Sequence, residues 1–97
     1  MNRNEMSFVS LLGEGSSIRD GNLTVSSHLK ISGTVLQNID CGGKLVIAGS
    51  GRVLGNIKAE DLVIEGVFEG NAWIRNHITI NKNAYVTGYL SGERIKI

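Results

Sequence analysis

Two apolar residues with one position between them recur along this chain at a nearly fixed interval: Leu29-Lys30-Ile31, Leu45-Val46-Ile47, Leu62-Val63-Ile64, Ile78-Thr79-Ile80 and Ile95-Lys96-Ile97. The steps between their first members are 16, 17, 16 and 17 residues. A repeat this short cannot hold a pair of helices. It marks a coiled solenoid in which each repeat is one rung of short strands. The spacing within each pair has the same meaning, because alternate side chains of a strand face one way.

Two further anchors complete the rung. Naming the first pair A and B, a third apolar residue C follows B: Val35, Val53, Phe68 and Val86. A fourth, D, lies four residues beyond C: Ile39, Ile57, Ala72 and Leu90, with Leu23 at the D position of an incomplete first rung. The B-to-C gaps run four, six, four and six residues. All are even, so the longer ones leave the inward face inward, where an odd insertion would turn it over. Three apolar sides joined by short corners predict an all-β, single-domain parallel β-helix (β-solenoid). About five to six rungs of 16 or 17 residues would wrap a triangular, dry core.

Two columns mark a corner of that triangle. Two residues before D stand Gly21, Gln37, Gly55, Gly70 and Gly88, and one before D stand Asn22, Asn38, Asn56, Asn71 and Tyr89. Glycine there predicts positive φ or close approach of neighbouring rungs. Asn beside it tolerates a left-handed backbone and can stack as an amide ladder.

Stacked rungs are parallel strands about 4.8 Å apart, so five make a rod on the order of 24 Å long. Such a rod presents unpaired N–H and C=O groups at its ends unless polar repeats cap it. The sequence stops at Ile95-Lys96-Ile97, the A–B side of an unfinished rung. Leu90, Ile95 and Ile97 at this end, with Ile18 and Leu23 at the other, are therefore the expected polymerisation interface. A second copy of the chain is the expected partner.

Composition narrows the function classes. There is no Pro, there are 13 Gly, and aromatic residues make up 5%, so Val, Ile and Leu must fill the interior. Ten basic and 9 acidic residues, well mixed to a net charge of +1, give no electrostatic case for nucleic acid. A single Cys argues against a disulfide framework and suits a reducing cytosol. No apolar stretch is long enough to span a bilayer. The expectation is a cytoplasmic protein, with residues 1–16 as an apolar N-terminal tail and residues 17–97 as the β-helix.

The residues that could carry chemistry fall into rung columns instead of a site. Cys41 stands in the inward column Val25, Cys41, Ala59, Ile74, Gly92, with no base beside it, and reads as a buried thiol. His28 and His77 share the outward column His28, Lys44, Asp61, His77, Arg94. Three rungs separate them, roughly 14 Å at strand spacing, so they cannot share a metal ion. Gly13-Glu14-Gly15-Ser16-Ser17 lacks the Lys of a phosphate loop and reads as a joint. No catalytic residue, cofactor or metal is expected.

Outward apolar positions are the better candidates for contact. Val46 stacks with Val63 and Leu36 with Leu54, Val67 lies beside Tyr85, and Trp73 stands in the column Thr24, Asp40, Lys58, Trp73, Ser91. Leu36, Leu54, Trp73 and Tyr85 are the candidates for a lateral or partner surface. In the tail, Met6, Phe8, Val9, Leu11 and Leu12 can cap the first rung, lie in a membrane interface or stay disordered. They are the candidates for membrane contact.

The rung pattern resembles the bactofilins, bacterial cytoskeletal proteins. The resemblance rests on Leu29-Lys30-Ile31-Ser32-Gly33-Thr34-Val35, on Gly55-Asn56-Ile57-Lys58-Ala59, and on Leu62-Val63-Ile64-Glu65-Gly66 with Phe68-Glu69-Gly70-Asn71, and it covers about residues 16–97. It implies a right-handed β-helix, in keeping with the handedness of parallel crossovers. It also implies end-to-end filaments formed without nucleotide, without directionality, and often on the cytoplasmic membrane. Roles in cell shape, morphogenesis, appendages or motility follow from it, sometimes through cell-wall remodelling enzymes. The long Pro-rich or charged tails of many members are missing from this sequence. The main rival is a hexapeptide-repeat acyltransferase, with His28 and His77 as the residues to test, but anchors every six residues are absent here. Polysaccharide-cleaving β-helices would want clustered carboxylates. Ice-binding solenoids would want aligned Thr arrays, and Thr24, Thr34, Thr79 and Thr87 do not align.

Overall fold

The computed structural model describes residues 8–10, 17–25 and 28–97. Its elements are all strands: β1 (Phe8–Ser10), β2 (Ser17–Val25), β3 (His28–Ile31), β4 (Thr34–Cys41), β5 (Lys44–Ile47) and β6 (Arg52–Leu54). After them come β7 (Ile57–Ala59), β8 (Asp61–Ile64), β9 (Val67–Ile74), β10 (His77–Ile80), β11 (Tyr85–Ser91) and β12 (Arg94–Lys96). Every pairing is parallel and joins each rung to the next. Leu29, Leu45, Leu62, Ile78 and Ile95 are successive register partners, as the A anchors require. The chain is a parallel β-solenoid of about four turns. The five to six rungs expected are a slight overcount.

The A–B strands form one six-stranded sheet in the order β1-β3-β5-β8-β10-β12. The C and D anchors lie on a second sheet, ordered β11-β9-β6-β4-β2, with β7 pairing β4 and β9. Inward anchors of both sheets meet in the core. Leu29, Ile31, Val35, Leu45, Ile47, Val53, Ile57, Leu62, Ile64, Phe68, Ala72 and Ile78 are fully buried. Each large member removed from water contributes on the order of 1.5–3 kcal/mol.

The longer B-to-C gaps form turns. Gly51 N–H donates to the carbonyl of Ala48 (2.7 Å) and Ala84 N–H to that of Asn81 (2.9 Å), closing two four-residue turns at one corner. Beyond them the register resumes, with Arg52 N–H on the Gly33 carbonyl and Tyr85 N–H on the Gly66 carbonyl, both at 2.9 Å. The first rung handles its extra residue differently. Ile18 pairs with Val35 and Leu23 with Ile39, yet five positions separate the first two anchors where four separate the second pair. The register shifts between Arg19 and Asn22. A bulge absorbs the odd residue and returns Leu23 to the D register.

The glycine column adopts the backbone its composition predicts. Gly55, Gly70 and Gly88 have φ of 153°, 143° and 127°. A Cβ on Gly70 would run into the carbonyl of Gly55, and one on Gly88 into that of Gly70. At this corner the rungs approach too closely for a side chain.

Gly70→Ala is therefore expected to destabilise the rod by on the order of 3 kcal/mol, from the φ strain and the clash together. Gly49→Ala, with open space around it, is expected to be nearly neutral. Thermal melts of the two variants check this contrast, and equal melting temperatures would contradict it.

Candidate functional site

Among the described residues no constellation of catalytic groups emerges from the stack. Cys41 is buried, and burial pushes its thiol above its ordinary pKa, so the reactive thiolate is disfavoured. His28 accepts the main-chain N–H of Lys44 at Nδ1 (2.9 Å), tying one rung to the next. His77 is exposed, with Nδ1 3.6 Å from Asp61 Oδ1, and its main-chain N–H donates to the same oxygen (3.3 Å). Among the described residues no group of three or more His, Cys, Asp or Glu could hold a metal ion. Among them, too, no helix is long and apolar enough to cross a membrane.

The Asn column works as a ladder, though by a different bond from stacked amides. Asn38 Oδ1 accepts the main-chain N–H of Asn56 (2.9 Å), and Asn56 Oδ1 accepts that of Asn71 (3.3 Å). The side chain reaches the backbone of the next rung beside the tight glycine corner. The ladder ends where Tyr89 replaces Asn in the last rung, leaving an exposed ring. Tyr89 is the surface residue that column reading passes over, and its only signal is that it breaks the Asn run. Gln37, in the glycine column, is 8% exposed and is the one buried polar side chain among the described residues.

At the rod end formed by β11 and β12, the inward columns open. Ile78 is fully buried, Ile80, Val86 and Leu90 partly so, Ile95 is 46% exposed and Ile97 90%. Among the described residues β12 has β10 as its only strand neighbour, and β11 has only β9. A hollow of about 710 Å³ lies here, lined by His77, Ile78, Thr79, Arg94, Ile95 and Lys96. At the opposite end Leu23 is partly buried and Ile18 lies on β2. Beyond them β1 pairs with β3, with Val9 in the A register opposite Leu29. Phe8 and Val9, read as membrane candidates, thus have backbone positions in the stack. Met6, Leu11 and Leu12 lie outside the described residues.

The lateral candidates are distributed over the faces. Leu36 and Leu54 are half-buried on the C side, Tyr85 is exposed beside Val67, and Trp73 is 44% exposed on the D side. Around Trp73, a hollow of about 430 Å³ includes Asn38, Asp40, Asn56 and Lys58 in its lining.

Removing the ladder acceptor tests its weight. Asn56→Ala is expected to cost about 1 kcal/mol, since a part-buried N–H of Asn71 loses its partner. Asn56→Asp keeps the acceptor and should lose less in chemical denaturation. Equal losses would show that the bond contributes nothing.

Residues 10–97 match the family model of the bactofilins, described as polymer-forming cytoskeletal proteins. No curated protein and no solved structure matches the chain.

Proposed function

The chain belongs to the bactofilin family of polymer-forming cytoskeletal proteins, and from that premise we propose that it is a scaffold whose rods join end to end into filaments. The observation that carries this reading is the open rung at β11 and β12. Among the described residues its strands have neighbours on one side only, and its inward residues Leu90, Ile95 and Ile97 emerge from cover. A further rung would pair the free N–H and C=O groups and bury the apolar side chains in one step. Main-chain pairing and apolar burial need no nucleotide, so assembly proceeds without one. Leu23 and Ile18 are assigned to the joint at the other end.

The filament is proposed to be without directionality and to lie at the cytoplasmic face of the membrane. There it would support cell shape, morphogenesis or motility with cell-wall remodelling or motility proteins as partners. Membrane contact is assigned to Met6, Phe8, Val9, Leu11 and Leu12, whose apolar character supports it. Arg3 alone supplies nearby positive charge, so binding is expected to be weak and reversible.

The purified protein is expected to form filaments in plain buffer without nucleotide or metal, as seen by electron microscopy. Ile95→Asp/Ile97→Asp should leave the rod folded by circular dichroism and stop elongation, because every joint made through this end would bury unpaired charge. Filaments of unchanged length would remove this end from the joint. In liposome co-sedimentation, Leu11→Asp/Leu12→Asp is expected to lose most membrane binding. Binding equal to that of the unaltered protein would overturn the membrane assignment.

A further inference from the structure

The outward side chains of the D side form one continuous column. Thr24, Asp40, Lys58, Trp73 and Ser91 are successive register partners across five rungs. The first four are exposed. Beside them runs the Asn column, where the Oδ1 atoms of Asn38 and Asn56 already accept main-chain N–H groups. Their side-chain N–H groups are left as donors, and each Oδ1 keeps a second lone pair. The hollow that includes Asn38, Asp40, Asn56, Lys58 and Trp73 in its lining spans both columns.

We infer that this face pairs with the same face of a second, oppositely directed copy of the chain. Two such faces can meet about a two-fold axis in two ways. With the axis along the rods, every rung meets its own copy. Asp40 then faces Asp40 and Lys58 faces Lys58, and like charges brought together oppose association. With the axis across the rods, between the Asp40 and Lys58 rungs, the column is read in reverse by the partner. Asp40 then faces the partner's Lys58, Lys58 faces the partner's Asp40, and Trp73 comes over the partner's Thr24. The neighbouring column brings Asn38 opposite the partner's Asn56, where amide donors and spare lone pairs are self-complementary. The charge order of one column therefore selects the antiparallel arrangement, and the ring of Trp73 gains cover.

This lateral joint deepens the polymer reading and rests on it for its place in a filament, while the pair itself needs no end joint. The Ile95→Asp/Ile97→Asp variant, with Ile18→Asp added to close the joint at the other end as well, separates the two. In sedimentation velocity that variant is expected to run as a concentration-dependent dimer. Emission from Trp73, the chain's single Trp, should move to shorter wavelength as the dimer forms. Adding Asp40→Lys sets Lys against Lys twice and should weaken the dimer about tenfold or more. Adding Lys58→Asp as well should return it to within about threefold of the starting affinity, because both ion pairs are restored in reverse. Circular dichroism should be the same throughout. A monomer at every concentration, a dimer indifferent to Asp40→Lys, or no recovery in the double reversal would each overturn the inference.

If Ile95→Asp/Ile97→Asp with Ile18→Asp still polymerises, only the end joint is wrong, and the same charge variants are then read on filament width. Paired strands that become single with Asp40→Lys and pair again with the double reversal support the lateral joint. Unchanged width overturns it.

Discussion

Parallel main-chain pairing in a fixed register is the interaction on which the whole rod depends. Each A anchor lies opposite the A anchors above and below it, from Leu29 through Leu45, Leu62 and Ile78 to Ile95. A slip of one residue would turn Leu45 and Ile47 to solvent and Val46 to the core. The register is therefore held by burial as much as by hydrogen bonds. Every irregularity in the chain respects this limit. The turns at Ala48–Gly51 and Asn81–Ala84 add two residues each, and the bulge between Arg19 and Asn22 returns Leu23 to its place after an odd addition.

Register also explains why one corner is so narrow. Gly55, Gly70 and Gly88 stack at positive φ, each too near its neighbour's carbonyl for a side chain. The adjacent Asn side chains use this closeness to reach the next rung's backbone. Specificity between rungs thus comes from a few positions at the corner, while the apolar columns supply most of the burial. Gln37 occupies the glycine column in an early rung, and its main-chain carbonyl is what a Cβ on Gly55 would meet.

Much of this was legible in the residue order, because periodicity of two within strands and of 16 or 17 between rungs leaves a direct trace. The A, B, C and D anchors from Leu29 to Ile78 are the core, and Cys41 is buried among them. What the columns could not specify was the partner of each polar atom. A column of Asn allows amide-to-amide stacking and amide-to-backbone bonding equally, and only the spacing at the glycine corner decides between them. The bulge in β2 was hidden because Ile18 and Leu23 stand five apart and break the four-residue rule of the later rungs. The strand at Phe8–Ser10 was hidden for a similar reason. Val9 precedes Leu29 by 20 residues, outside the period.

A rod built this way has few functions that its architecture favours. Its faces are regular, and among the described residues the β11–β12 end carries open strands and no grouping of side chains resembles a metal centre. Joining rungs between molecules draws on the same two contributions, main-chain pairing and apolar burial, that join them within one. Fibre diffraction from oriented filaments tests that claim most directly, because it reads strand direction against the filament axis. The account predicts a strong reflection near 4.8 Å along the axis, from strands lying across it throughout the polymer. A 4.8 Å reflection confined to the direction perpendicular to the axis would mean that the rods lie sideways, and the end-to-end stack would be wrong.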